Sequence, residues 1–281
     1  MKPVIAGIGE VLWDELPRGR RCGGAPANVV FHAAQLGAEA YVVSAVGNDR
    51  DGDDIVAFLE GRGIDCSLIQ RNALPTGTVG VTLADGIPSY EIRKPVAWDA
   101  LSSPPALEAL LPRLSAVVFG TLAQRDERSR RTMLRLLRDP SLKALKLFDI
   151  NIRQDFYSRE VIEESLRVAD VLKLNAEECE LLSGMLDIAG GAEKTVRALI
   201  ARYGLRSVIL TLGAEGSAFC DGGAFARYPV APCEKLVDTV GCGDAFLAAW
   251  CCETLAGGSP ESAMRKATLL SAQVAGREGA M

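Results

Sequence analysis

An α/β fold with a mostly parallel central sheet is what the sequence predicts, and three observations predict it. Apolar runs of strand length recur along the chain, amphipathic stretches separate them, and two further stretches fit neither pattern. The runs are VIAGIG (4–9), AYVVSAVG (40–47), AVVFG (116–120), LKLFDI (145–150), VLKL (171–174) and SVILTL (207–212). Helical spacing places helices at 26–37, 51–61, 126–138, 160–168, 175–183 and 191–203, then at 241–256 and 259–275. Strands that alternate with helices in this way build a parallel sheet covered on its faces, with functional sites at the carboxyl ends of the strands. Residues 10–22 (EVLWDELPRGRRC) and 75–98 lack a helical period. The second reads as a strand TVGVTL, a turn ADGIP and a strand SYEIRK. An ordinary surface hairpin would account for one such insertion; two near the first crossover favour a small β lid on a single domain spanning 1–281. PP at 104–105 reads as a loop before a helix.

Composition narrows the function. A chain of 281 residues, 48% hydrophobic, can bury a large core. The net charge of -5 and the lack of a long Lys/Arg run argue against nucleic-acid binding. The eight cysteines show no CxxC pair or framework spacing, which suits a reducing compartment. MKPVIAGIGEVLWDELP turns acidic at Glu10 before an apolar signal region develops, and no run is long enough to cross a bilayer. A cytoplasmic protein with no membrane partner is expected. The one histidine, His32, lies in an apolar helical stretch and reads as a residue near the core. A His-based triad and a multi-His zinc site are thereby set aside.

DTVGCGDAF (238–246) places GCGD where an extended piece meets the apolar helix AFLAAWCCETLAGG. The first N–H groups of a helix lack intrahelical partners and carry partial positive charge, and glycines leave them uncovered. Such a mouth suits a phosphoryl group in transit. Asp244 beside it would repel an anion, unless it takes the proton of an alcohol that attacks phosphorus. The plainer alternative is an N-cap and a turn. GIG at 7–9 is no dinucleotide fingerprint, since Leu12 stands where the third glycine belongs, and no Walker motif is present. Gly23 and Gly24, followed by Pro26 and Asn28 at a helix start, together with Asp14, would present backbone, amide and carboxylate to a polyol or sugar.

GGAPANVVFHAAQLG, the GNDRDGD turn at 47–53 and DTVGCGDAF together resemble the two signature regions of the PfkB, or ribokinase-like, carbohydrate kinases. PTGTVGVTL, PSYEI, VAWD, FDINIR, LNAEE and TLGAEG resemble its fructokinase branch, in order and over residues 4–280. The resemblance implies a ribokinase-like three-layer α/β/α sandwich with a mostly parallel central sheet and a small β-sheet lid. It implies Asp244 as general base and the amides of Gly241, Cys242 and Gly243 as anion hole. Sugar contacts fall on Asp14, Gly23, Gly24 and Asn28, and nucleotide contacts on Asn175, Thr211 and Gly213. Asn175–Ala–Glu–Glu178 matches a motif that serves Mg2+, with Glu178 acting through water; an N-cap followed by acids is the simpler reading of those four residues alone. Arg153 is a candidate to pair with a phosphate or acidic group, or else to form a surface salt bridge. Trp98 and Tyr90 are left outside the site.

Two positions depart from the family pattern. Cys242 puts a thiol in the hole, where thiolate character would repel phosphate, so a neutral thiol sensitive to alkylation is expected. The region of Asp238 matches a monovalent-cation site, yet the C-terminal loop that would complete it runs only to Met281, so K+ is the less favoured cofactor. The implied protein is an ATP- and Mg2+-dependent kinase of a sugar, D-fructose first, paired as a homodimer through its lid. The alternatives are 2-keto-3-deoxygluconate kinase, ribokinase or nucleoside kinase and, in another class, a sugar-binding regulatory protein without catalysis.

Overall fold

The computed structural model describes residues 2–16, 19–84 and 87–281. In chain order its elements are β1 (Val4–Ile8), β2 (Leu12–Leu16), β3 (Gly19–Gly23), α1 (Ala25–Gln35), β4 (Glu39–Gly47), α2 (Arg50–Glu60), β5 (Ile69–Asn72), β6 (Gly77–Ala84) and β7 (Ile87–Ile92). Then come α3 (Pro105–Leu110), β8 (Ala116–Phe119), α4 (Glu127–Leu137), β9 (Leu145–Asp149), α5 (Arg159–Val168), β10 (Val171–Asn175), α6 (Ala176–Met185) and α7 (Gly191–Tyr203). The last are β11 (Ser207–Thr211), β12 (Ser217–Cys220), β13 (Phe225–Tyr228), α8 (Cys242–Leu255) and α9 (Pro260–Ala275).

The apolar runs pair into one nine-stranded sheet ordered β13-β12-β11-β10-β9-β8-β1-β4-β5. Pairing is parallel from β11 through β5, and the β12–β13 edge is antiparallel. Alternate strand residues feed two cores, as the period of two requires. On one face Val117, Phe119 and Phe148 pack with Met133, Ile162, Leu182 and Leu199 of α4 to α7. On the other, Val118 and Leu147 pack with Val30, Ile55, Leu247 and Met264 of α1, α2, α8 and α9. The sandwich is therefore three layers. Helix α8 is apolar all round because sheet, α1 and α9 enclose it; Ala245 to Cys251 are all buried.

The two aperiodic stretches form a second sheet ordered β3-β2-β6-β7. This small sheet is the lid, with bounds narrower than expected. Glu10 and Val11 are buried beneath it, and its far end is Ile92. Residues 97–100 instead make a short 3-10 turn that drives Trp98 and Asp99 into the core, where Arg125 holds Asp99 through two bonds of 2.8 and 2.9 Å and lies over the Trp98 ring. The β6–β7 ladder reaches Ala84 and Ile87, so the turn is shorter than ADGIP; its residues 85 and 86, and residues 17 and 18 of the first stretch, lie outside those described. GNDRDGD is less a turn than a helix start, with Asp49 capping α2 through the Gly52 N–H at 2.8 Å. The β12–β13 hairpin and β5 were not expected. Among the described residues no helix is long and apolar enough to cross a membrane.

Candidate active site

The carboxyl ends of β1, β10 and β11 open with the lid strand β2 onto a cavity of about 710 Å³. Its wall includes Asp14, Gly24, Asn28, Arg153, Asn175 and Thr211. Asp238, Gly241, Gly243 and Asp244 of the expected set also line it, whereas Gly23, Cys242, Glu178 and Gly213 do not.

Gly241 takes the N-cap position of α8 at φ 78, a left-handed conformation that favours glycine, and no side chain caps the helix. A Cβ there would collide with Ala280, and one on Gly243 would lie 2.8 Å from Lys173 Nζ. Ala280 leaves no room for a side chain at Gly241, whereas one at Gly243 would meet only the end of Lys173. Of the three expected amides, that of Cys242 donates to Thr239 O at 3.3 Å within the turn. As N-terminal residues of α8, Gly243 and Asp244 have no acceptor four residues back within the helix. Burial raises the pKa of the Cys242 thiol and so disfavours the thiolate.

Asp244 is 9% exposed, and its Oδ2 accepts a 2.7 Å hydrogen bond from Asn28 Nδ2. Burial and then the charge of Asp149 push it up, against Lys173, Asn28 and Arg153, to about 6. Asn28 reaches it from the first turn of α1, which packs against α8 in the same core. Asp14 is likewise pushed up by burial to about 6, with Arg153 opposing. Gly23 pairs with Leu12 across β2 and β3, diagonal to Asp14, and a Cβ there would stand 2.6 Å from Asp14 Oδ2.

Lys173 and Asp149, register partners on β10 and β9, form a buried ion pair with Nζ 3.0 Å from each carboxylate oxygen. Burial works against the Lys173 charge, but Asp149, then Asp244 and Glu178, outweigh it and hold its pKa above the ordinary value. Asn175 and Glu178 form a reciprocal capping box at the start of α6, each accepting the other's backbone N–H at 2.8 Å. Glu178 Oε1 also accepts the Ile152 N–H at 2.9 Å. Asp238 accepts from the N–H groups of Val240 and Gly279, at 3.0 and 3.1 Å.

Residues 18–281 match the family model described as pfkB family carbohydrate kinase. The chain belongs to that family. This pfkB kinase, an ATP-dependent phosphotransferase, is 30% identical over 275 residues to a fructokinase of Klebsiella pneumoniae, covering 91% of this chain and 85% of that one. The uncharacterized sugar kinase PH1459 of Pyrococcus horikoshii, solved in complex with ATP, superposes with a TM-score of 0.85 at 26% identity, over 99% of this chain and 94% of that one. A Xylella fastidiosa fructokinase with bound ATP shares the fold, with a TM-score of 0.86 at 24% identity over 100% and 94% of the two chains.

The Mg2+ implied by the family fits the donors of this kinase. Among the described residues no three His, Cys, Asp or Glu side chains gather to cage a metal. Glu178 spends an oxygen on each of two backbone N–H groups, Asn175 and Ile152, and keeps further lone pairs for water. That suits an ion carried by phosphates and waters. Sequence reasoning missed Lys173, Asp149 and Glu10. The charged residues were visible, a lysine within VLKL and both a lysine and an aspartate within LKLFDI, but not which of them pair.

Proposed function

We propose that this pfkB kinase is a fructokinase that transfers the γ-phosphoryl group of ATP to a hydroxyl of D-fructose, with Asp244 as general base. The Asn28–Asp244 hydrogen bond carries the reading. It fixes a carboxylate at the mouth of α8, inside the cavity that Asp14 also lines. The 30% identity to the Klebsiella pneumoniae fructokinase supports the sugar.

Asp14, Gly23, Gly24 and Asn28 would hold the sugar, with carboxylate and amide taking its hydroxyl hydrogens. Asp244, at about 6, is ionised at neutral pH yet basic enough to take the proton of the attacking hydroxyl. The N–H groups of Gly241 and Gly243 and the dipole of α8 then face the charge on the transferring group, with Lys173 beside them. Asn175, Thr211 and Gly213 take the nucleotide side. Mg2+, held by phosphates and through water by Glu178, would offset phosphate charge. The Cys242 N–H joins the hole only if it leaves Thr239. Asp238 spends its carboxylate on peptide N–H groups, and K+ stays outside this reading. The lid closes over the sugar and excludes water. Among the described residues its outer strands β3 and β7 each pair along one side only, which supports a homodimer through the lid.

A second reading has one observation behind it: the charge of Arg153 is felt at Asp14, Glu10 and Asp244, so an acidic sugar such as 2-keto-3-deoxygluconate would find a cation there. Both are tested by Mg2+- and ATP-dependent phosphorylation of fructose, 2-keto-3-deoxygluconate, ribose and adenosine. Preferred turnover of fructose is expected. Preference for the acidic sugar would replace the first reading with the second, and silence with sugar binding retained would mark a regulatory protein.

A further inference from the structure

Glu10 is a buried carboxylate that the reaction above leaves unused. It follows β1 at the carboxyl edge of the large sheet, is 2% exposed, and lines the cavity with Asp14, Asn28, Arg153 and Asp244. Its Oε1 accepts the Ala25 N–H at 3.1 Å and so supplies the cap that Gly24, the N-cap residue of α1, cannot. Its Oε2 is buried with no hydrogen-bond partner among the described residues. Asn28 Oδ1 is in the same condition, while the other end of that amide is bound to Asp244. Native proteins rarely leave buried acceptors unmet, since each forfeits its hydration without return. Two of them on the wall of one cavity, beside a carboxylate poised to take a proton, describe a surface built for O–H donors. A polyol brings several.

Resting on the sugar-kinase reading, we propose that Glu10 is a specificity-determining residue: Oε1 stays fixed on α1 while Oε2 accepts the hydrogen of a sugar hydroxyl other than the one phosphorylated. The groups that face it act in opposite senses. Burial raises its pKa to about 7; the N–H groups of its own residue and of Ala25 oppose this, as does Arg153, while Asp244 adds to it. The contact therefore weakens as pH falls below that value.

The test compares the wild-type protein, Glu10→Ala and Glu10→Gln on D-fructose and its monodeoxy analogues, by kcat/KM and by calorimetric sugar binding, which needs no turnover. The wild type should lose about 10- to 100-fold on one deoxy analogue, and Glu10→Ala should lose as much on the parent sugar while ignoring that same deletion. Glu10→Gln retains an oxygen for the Ala25 N–H and so guards against a variant that merely fails to fold. If either variant folds and still ranks all the deoxy sugars as the wild type does, Glu10 only caps α1 and the proposal is overturned. Wild-type turnover of a different panel sugar would sink the fructose reading alone, and the same comparison is then made on that sugar and its deoxy analogues.

Discussion

Two of the helices that open onto the cavity begin at a glycine with positive φ and no side-chain cap of its own: Gly24 before α1 and Gly241 before α8. The first mouth is closed by the protein itself. Glu10 takes the leading N–H of α1, and Gly24 passes so close to the Glu10 carbonyl that a Cβ would strike it. The second has Lys173 on its flank, while Asp244 in its first turn faces Asn28. One buried carboxylate thus separates scaffold from binding site. The same helix-end electrostatics serve folding at one place and are left free for a ligand at the other.

Substitution of Asp244 should show the largest effect. Asp244→Asn is expected to cost about 10²- to 10⁴-fold in kcat while raising stability. Its carboxyl stands at about 6 in the folded chain, against an ordinary 3.8. Between those values the native state binds more protons than the unfolded one, so stability falls as pH rises through the window. Removing the charge should recover on the order of 2 to 3 kcal/mol at pH 7, and almost nothing near pH 4, by urea unfolding.

The glycines sharpen the contrast. Gly24→Ala should lose fold, since it adds strain of about 1 to 3 kcal/mol at φ 115 to a clash with backbone. Gly243→Ala meets only the movable end of Lys173, so the melting temperature should hold while kcat falls about 10- to 100-fold. The reverse pattern in paired melting and kinetic assays would break the comparison. A pH profile comes next: wild-type kcat/KM should fall with acid through about pH 6, as Asp244 gains its proton. The smallest effect belongs to Cys242→Ala, whose activity should stay within about twofold because the half-buried thiol it removes disfavours the thiolate. Its inactivation by alkylating reagents should slow, and an unchanged rate would clear Cys242 of any part in thiol sensitivity.

The mouth at α8 was legible because its signals are local: glycines, an aspartate and an apolar run within a few residues. Asn175 and Glu178 form the capping box of the simpler reading, with Asn175 on the cavity wall. The Lys173–Asp149 pair was not legible, because it depends on the register between β9 and β10, a relation between segments rather than within one. Glu10 was hidden for a similar reason. It read as the first residue of the flap, whereas its partner is the start of a helix on the far side of two lid strands. Trp98 read as a flap residue until the Asp99–Arg125 pair, formed across another gap in sequence, drew that turn into the core.

Ala280 packs on Gly241, and its carbonyl oxygen is held by His32 Nε2 at 2.8 Å. The Gly279 N–H is tied to Asp238, and Arg21 of the lid pairs with Glu278. The wall of the cavity thus joins segments far apart in the sequence, from Glu10 to Ala280. A ribosome that has already delivered every strand of the sheet still holds a protein with an unfinished pocket. During synthesis, the growing chain cannot complete that pocket until residues 238–280 have followed the last strand.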